Sequence, residues 1–280
     1  MKRRHGCLHR LFLLAVIAAA LAGFWYFENN VIQVEEFSLI SSRLPAAFDG
    51  FRVAVVADLH GRSFGPEGEA LVEAVRRAEP DLIALDGDIA DEHSDPAAAA
   101  RLAGRLAEIA PAYYVTGNHE WVMDDLPGFL AQLEAAGVTV LHNEFYLLTR
   151  DGQSIVAAGV DDPNGPYDQK TPAQLVSEIR AACGDPYILM LAHRNDQLDL
   201  WASLEVDAVL AGHGHGGVIR LPFVGGLIGT DRRLFPDYTA GLYRQGRTNL
   251  LVSRGLGYTG LPLRLFNRPH LPVLVLRAGS

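Results

Sequence analysis

The sequence predicts an α/β protein in which the strands of a layered sheet alternate with flanking helices. From Val31 onward, short apolar runs rich in β-forming residues alternate with stretches whose apolar residues have helical spacing. The apolar runs are continuous, which is typical of strands that are buried on both faces. The chain has 280 residues and is 49% hydrophobic, enough for one domain with a substantial core.

The N-terminal residues predict a membrane anchor. A basic leader, residues 1–10, precedes an uncharged run, residues 11–27, that ends in the aromatic segment FWYF. At about 1.5 Å per residue, this run is near the lower length limit for a transmembrane helix. Because cations precede the run and acids follow it, we expect a single-pass protein of the cell membrane with residues 28–280, the main domain, on the extracytoplasmic side. The alternatives are a signal peptide cleaved after the segment ALA at residues 20–22, or a buried core helix.

The helices and strands of the body follow in chain order. The first half predicts strands at residues 51–57, 82–85 and 113–116, and helices at residues 67–78, 96–109 and 126–136. Residues 138–159 predict several short strands with Asp151-Gly152 as a hairpin turn. The second half predicts a helix at residues 171–182, strands at residues 187–192 and 208–211, and mostly β structure at residues 218–276.

Composition and charge exclude some classes of partner. Beyond the first ten residues, the chain holds 20 basic against 33 acidic side chains, a net charge of −13. This acidic body argues against nucleic-acid binding by phosphate neutralisation, and equally against a broad electrostatic attachment to anionic lipid. Cys7 and Cys183 have neither the spacing of a zinc knuckle nor that of a disulfide framework.

Polar residues collect where the predicted strands end. Open α/β sheets bind their ligands at the carboxyl ends of their strands. The residues at these ends are Asp58 and His60, then Asp86, Asp88 and Asp91, then Asn118, His119 and Glu120, then His193, and then His213 and His215. A helix cap, a turn or a satisfied histidine explains each cluster singly. Together, at one edge of a sheet, they predict a site for divalent metals.

These clusters resemble the motif series of the calcineurin-like metallophosphoesterase superfamily. The motifs D-x-H, G-D-x-x-D, G-N-H-[DE], a lone His and G-H-x-H occur in that order at residues 58–60, 87–91, 117–120, 193 and 212–215. The segments LPAAFDGFRV, HGHGGVIRLPF and GLPLRLFNRP are similar to the bacterial membrane-associated branch of the superfamily. The resemblance extends over residues 31–276.

The resemblance implies a fold, a metal centre and a reaction. The fold would be a four-layer α/β/β/α sandwich of two mixed sheets with the metal site at the C-terminal ends of the strands. Two divalent metal ions would bind, with manganese expected first and iron or zinc as alternatives. The implied ligands are Asp58, His60, Asp88 and His215 for one ion, and Asp88, Asn118, His193 and His213 for the other. A metal-bridging hydroxide would attack a phosphate mono- or diester, with lipid-linked and nucleotide-sugar phosphates among the candidate substrates.

Other residues receive roles from the same resemblance. His119 matches the catalytic histidine that is not a ligand, which donates a hydrogen bond to the phosphoryl group or protonates the leaving oxygen. We expect Glu120 to orient the His119 ring, and Asp91 either to support its motif or to occupy a simple turn. His213 and His215 are expected to point the same way from an extended backbone, so that each reaches one ion.

The substrate is less clearly indicated. In the family, the lone histidine is usually followed by one residue and then Pro-Asp, whereas His193 is followed here by Arg194-Asn195-Asp196. Five arginines lie in apolar, Gly-rich loops, where they either form a membrane-proximal lip for a lipid phosphate or, for most of them, only pack and form surface ion pairs: Arg232, Arg233, Arg254, Arg264 and Arg268. The substrate-binding residues and the oligomeric state stay open.

Two function classes fit the sequence. The first is the metal-dependent phosphoesterase, with a phosphoester substrate and no nucleic-acid partner. The second is a non-catalytic, metal-binding regulatory membrane module with the same fold. We expect such a module to lack His119 or the bridging carboxylate of Asp88, and the chain has both.

Overall fold

The computed structural model describes residues 2–217, 219–230, 232–258 and 263–279, with side chains described from residue 9 onward. The basic side chains of residues 2–4 therefore lie outside the described part of the chain. So do Val218 and residues 259–262, which belong to the loops considered above as a membrane-proximal lip.

The first of two six-stranded mixed sheets carries the N-terminal motifs. In spatial order it contains β1 (Gln33–Ser41), β14 (His270–Ala278), β2 (Arg52–Val56), β3 (Leu82–Asp86), β4 (Ala112–Val115) and β5 (Thr139–Val140). Strands β2 to β5 run parallel, β1 is parallel to β14, and β14 is antiparallel to β2. The motif-bearing strands thus end at the same edge.

The second sheet carries the C-terminal motifs. In spatial order it contains β12 (Gly241–Gln245), β13 (Thr248–Val252), β9 (Ala208–Ala211), β8 (Ile188–Leu191), β7 (Gln153–Gly159) and β6 (Glu144–Arg150). The four central strands run parallel, and each edge strand is antiparallel to its neighbour. A separate hairpin of β10 (Ile219–Leu221) and β11 (Gly225–Ile228) follows the last motif.

Helices cover the outer face of each sheet. On the first sheet lie α2 (Glu69–Arg77), α3 (Pro96–Ala107) and α4 (Leu126–Ala135), and on the second lie α5 (Pro172–Cys183) and α6 (Leu198–Ser203). A third apolar core fills the space between the two sheets, with Val53, Leu189 and Leu210 among its buried members. Three apolar cores therefore separate four layers, which confirms the predicted α/β/β/α sandwich.

Local signals in the sequence explain where the helices begin. Asp95 caps α3 by accepting a hydrogen bond from the backbone N–H of Ala97 at 3.0 Å, and a proline occupies the first helical position. At α5, Thr171 and Gln174 form a reciprocal capping box. Asp151 and Gly152 form the predicted turn between β6 and β7, both with positive φ.

The N-terminal helix α1 (Lys2–Asn30) extends beyond the predicted apolar run at both ends. Its segment His9–Asn30 is long and apolar enough to cross a membrane, and this segment is almost wholly exposed. Length and exposure weakly support a membrane anchor. The division into leader, anchor and main domain stays a prediction.

Candidate metal centre

The candidate ligands lie on loops that directly follow strands of both sheets. Asp58 and His60 follow β2, Asp88 follows β3, and Asn118 follows β4. From the second sheet, His193 follows β8, and His213 and His215 follow β9. The site therefore lies where the carboxyl ends of two facing sheets meet, as expected for parallel strands.

Two groups of side chains have ligand atoms that lie within 4.8 Å of one another. Asp88 is a member of both. The first group is Asp58, His60, Asp88 and His215, and the second is Asp88, His193 and His213. Asn118 lines the same cavity as Asp88. The structure thus brings all seven sequence-predicted ligands to one place.

The atoms of the site fit bound cations. The Nε2 atoms of His60 and His215 lie 3.2 Å apart, and His215 Nε2 lies 3.3 Å from Asp58 Oδ1. Among the described residues, Asp58 Oδ2 and Asn118 Oδ1 are buried without a hydrogen-bond partner. Buried acceptors that lack a donor are costly, and a divalent cation would satisfy them.

The electrostatics of the site also favour a cation. Asp58 and Asp88 are fully buried. Burial raises the pKa of Asp58. At Asp88 burial acts in the same direction, but the charges of His193 and His60 outweigh it and lower the pKa of the carboxyl group. A buried carboxylate must be paired or coordinated, and His193 Nε2 lies 3.2 Å from Asp88 Oδ2.

The backbone at the ligands is left-handed. Five non-glycine ligand residues have φ between 46° and 62°: Asp58, His60, Asp88, His213 and His215. The prediction of an extended backbone at His213 and His215 is therefore wrong. The tight turns after the strands, and not an extended chain, aim these two rings at the site, and Gly216 and Gly217 continue the positive φ values.

The prediction for Glu120 is also wrong. Its carboxylate does not contact the His119 ring. It is fully buried and accepts hydrogen bonds from four backbone N–H groups, those of Asp88, Ile89, Ala90 and Gly117, at 2.7–3.3 Å. Burial, and then the charge of Asp88, raises the pKa of Glu120 to about 7. Glu120 holds the two motif loops together because these amides have no strand partner to bond.

Two other acids contact the histidines of the site. Glu92 Oε2 lies 3.0 Å from His119 Nδ1, so Glu92 makes the contact with the ring that the sequence predicts for Glu120. Asp91 Oδ2 lies 3.2 Å from His60 Nδ1, while Asp91 Oδ1 accepts a turn hydrogen bond from the backbone N–H of His93. Asp91 therefore has a turn role and also fixes the ring of a candidate ligand.

Asp86 contributes through its backbone. Its carbonyl oxygen lies 2.8 Å from His193 Nδ1, so that ring nitrogen donates and Nε2 is left for coordination. Burial raises the pKa of the Asp86 carboxyl group to about 8, against the effect of His193.

Arg194 is a site residue that sequence reasoning missed. Its guanidinium forms a bidentate ion pair with Asp162, at 2.6 and 3.0 Å, and its Nη1 lies 2.9 Å from His213 Nε2. The departure from the family pattern after His193 was the signal that marked this position. The bidentate pair fixes the guanidinium in the wall of the site.

Two cavities meet at Arg194. One of about 320 Å³ is lined by Asp88, Asn118, His119, Arg194, His213, His215 and Thr230. A second of about 310 Å³ extends past Arg194 toward Tyr167 and Lys170. A larger groove of about 660 Å³ lies beside α3, and the residues described along it include none of the candidate ligands. Candidate ligands line both of the first two cavities, so each of them can place a substrate at the candidate metal centre.

Three of the five loop arginines have structural roles. Arg264 is buried and donates to the backbone carbonyls of Arg254, Gly257 and Asn267. Arg254 pairs with Glu35 at 3.3 Å, and Arg268 donates to the carbonyls of Val31 and Ile32. These contacts agree with the packing interpretation for these three arginines. Arg232 and Arg233 are exposed.

Comparison with known proteins gives one family. The family described as "Calcineurin-like phosphoesterase" matches residues 51–217. "Uncharacterized metallophosphoesterase YkuE" of Bacillus subtilis is 30% identical over 263 residues, covering 91% of this chain and 89% of the relative. "Phosphodiesterase YaeI" of Escherichia coli is 31% identical over 281 residues, covering 95% and 98%.

Two further comparisons concern the anchor and the fold. "Transmembrane protein with metallophosphoesterase domain" of Bos taurus is 30% identical over 251 residues, which are 85% of this chain but 55% of that longer protein. Among solved structures, Haemophilus influenzae NAD nucleotidase (NadN) has a TM-score of 0.51 at 14% identity, over 73% of this chain and 45% of that chain. This last likeness concerns the fold alone.

Proposed function

The chain belongs to the calcineurin-like phosphoesterase family and is a metal-dependent phosphoester hydrolase, and we propose that it works through two divalent ions joined by Asp88. The observation that supports this proposal is the shared position of Asp88. Its carboxylate belongs to both groups of ligand atoms, and a carboxylate has two oxygens to share between two ions.

The remaining ligands divide between the two ions. Asp58, His60 and His215 would complete the first site with Asp88. Asn118, His193 and His213 would complete the second. When bound, the ions would supply a Lewis acid that activates water and neutralises charge on the phosphoryl group. Imidazole, carboxylate and amide ligands suit manganese, iron or zinc, and we propose manganese first.

His119 is the proposed proton donor. It lines the cavity and its side chain is 30% exposed, so a substrate can reach it. The contact of Nδ1 with Glu92 fixes the ring and leaves Nε2 for the leaving oxygen. His119 would hold a proton at Nε2 and transfer it as the phosphoester bond breaks.

Arg194 is the proposed phosphoryl-binding residue. The ion pair with Asp162 holds its guanidinium at the junction of the two cavities. A guanidinium presents a planar set of donors that matches phosphate oxygens. We propose that Arg194 orients the phosphoryl group and that the second cavity receives the leaving group. The size of the leaving group then decides how much of the second cavity is filled.

The proposed function is tested with bis-p-nitrophenyl phosphate and added manganese. Asp88→Asn should lose both turnover and bound metal, because one oxygen of the bridge is replaced by an amide. His119→Ala should lose turnover but keep its metal content, measured by inductively coupled plasma mass spectrometry. His93→Ala is the matched control, since that histidine is exposed and lies next to Glu92. Folded wild-type protein that binds metal but hydrolyses no phosphoester would favour the regulatory module.

We also propose the location of the enzyme. The exposed helix α1 would anchor it in the cell membrane as a single-pass protein, with the hydrolase domain on the extracytoplasmic side. The basic leader on the other side of the helix supports this orientation. Protease protection of residues 28–280 in right-side-out vesicles would contradict it.

A further inference from the structure

The last turn of α1 marks a boundary between two environments. Trp25, Tyr26 and Phe27 are 46–61% exposed, whereas the next residues, Glu28 and Asn29, are buried against the hydrolase domain. Trp and Tyr collect at the membrane surface, where one end of each ring is apolar and the other polar. If α1 spans a bilayer, the bilayer surface therefore lies close to Phe27.

A loop of the hydrolase domain lies at the same level. The Phe266 ring is 5.8 Å from the Phe24 ring, and the Arg268 guanidinium lies 4.3 Å from the centre of the Phe27 ring. Leu263 and Phe266 are each about half exposed. Apolar side chains of the domain thus stand beside the helix where it would leave the membrane.

The candidate metal ligands are close to this level. The backbone N–H of Asn267 donates to Glu28 Oε2 at 3.1 Å, and the side-chain amide of Asn267 donates to the carbonyl of His215 at 2.8 Å. On the other side, Arg62 donates to the carbonyl of Asn29. A single residue, Asn267 or Arg62, therefore connects the end of α1 to a loop that carries candidate ligands.

The hairpin after the last motif and the loop that follows it add further exposed apolar residues. Phe223 at its tip is fully exposed, and Leu234 and Phe235 are more than 60% exposed. The loop that carries Leu234 also supplies Thr230 to the wall of the metal cavity. The exposed Arg232 lies in the same loop, and aromatic residues beside arginine are typical of segments that rest in a membrane interface.

We infer that these apolar side chains form a membrane-contacting surface, so that the metal cavity faces the bilayer. The substrate is therefore a phosphoester of a membrane lipid. This interface surface consists of Leu221, Phe223, Val224, Leu234, Phe235, Leu263, Leu265 and Phe266. Its part at residues 263–266 adjoins α1 through the contact of Phe266 with Phe24. The substrate assignment rests on the proposed function, whereas the orientation rests on the arrangement of the surface alone.

Depth measurements test the orientation without any need for activity. The full chain, with Cys7→Ser and Cys183→Ser, is placed in nanodiscs and spin-labelled at Phe223→Cys or Phe266→Cys. Both labels should be more accessible to oxygen than to a water-soluble nickel reagent. Leu147→Cys is the control, since Leu147 is also exposed but lies on β6, the strand at the edge of the second sheet. Equal nickel accessibility at all three positions would overturn the orientation.

Turnover then tests the substrate class. Phe223→Ser and Phe235→Ser should keep the wild-type rate on bis-p-nitrophenyl phosphate, because neither residue lines the metal cavity. The same variants should lose at least about tenfold on lipid phosphoesters in nanodiscs, screened as phosphatidic acid, phosphatidylglycerol and polyprenyl phosphate. Wild-type enzyme that cleaves the soluble ester but none of these lipids would overturn the lipid assignment. Failure on the soluble ester as well would instead refute the proposed function, and the depth result would stand by itself.

Discussion

Glu120→Gln should destabilise the fold without changing the shape of the side chain. Each carboxylate oxygen of Glu120 accepts from two backbone N–H groups, Oε2 from Asp88 and Gly117, and Oε1 from Ile89 and Ala90. In glutamine one oxygen becomes an NH₂ group. Whichever way the amide turns, two of the four backbone donors then face another donor.

The size of the effect follows from these two lost acceptors. A buried donor left without a partner costs about 1–3 kcal/mol, so the free energy of unfolding should fall by roughly 2–6 kcal/mol. Because 1 kcal/mol corresponds to about 2–4 °C in a domain of this size, Tm should fall by roughly 4–24 °C.

Thermal unfolding followed by circular dichroism at pH 8 measures this loss. At this pH, above the raised pKa of about 7, the carboxylate is charged; because the raised pKa means that burial disfavours this charge, glutamine recovers part of the loss, and the fall in Tm should lie toward the lower end of this range. Glu92→Gln is the matched control, because Glu92 is partly exposed and contacts only one side chain of the site, His119. Its Tm should stay within about 2 °C of wild type, as for other surface changes. A Glu120→Gln variant that is as stable as this control would refute the role given to the four amide bonds.

Other predictions concern the function of the site. Asp91→Ala should weaken metal binding about 10- to 100-fold by titration calorimetry, because the His60 ring loses the carboxylate that orients it; unchanged affinity would leave Asp91 with its turn role alone. Glu92→Gln should lower kcat more than it changes KM, since it acts through His119, and a pure KM effect would contradict this. Arg194→Ala should raise KM for the soluble ester about tenfold, with Arg194→Lys intermediate, and an unchanged KM would remove the residue from phosphoryl binding. Chelation of the metals should lower Tm, because a ligand that binds only the native state stabilises it, and a Tm that does not respond to chelator would count against binding at the buried carboxylates.

The sequence was sufficient to predict the fold and the positions of the candidate ligands. The strands at residues 51–57 and 208–211 are apolar throughout, and observed β2 and β9 agree with them within two residues. The ligands follow such strands directly, so local sequence determines on which loop each one lies. The topology then brings the loops together, since parallel strands end at one edge.

The elements that the sequence did not predict have weaker local signals. Strand β1 is only half buried, with Glu35 and Glu36 on it, and it pairs with a strand from the far end of the chain. Helix α6 has six residues, too few for a helical apolar pattern. Both elements depend on contacts that are distant in sequence.

The roles of individual acids were harder to predict than their positions. Glu120 follows His119 directly, whereas Glu92 lies 27 positions before it, and only the structure shows that Glu92 contacts the ring and Glu120 the backbone. Arg194 was visible only as a departure from a family pattern. Its ion pair with Asp162 joins residues 32 positions apart, and no local pattern indicates it.

Five candidate ligands have a left-handed backbone, which lowers the stability of the fold at the residues that activity requires. Selection for stability and selection for activity therefore oppose each other at these positions. Glycine adopts such φ values freely, and each constrained aspartate or histidine costs about 1–3 kcal/mol where glycine would not. Glycine at His213 should therefore give a more heat-resistant apoprotein that can no longer turn over substrate. A laboratory screen that selects for thermal stability alone would therefore favour loss of these candidate ligands. A screen that also selects for catalytic activity would retain them.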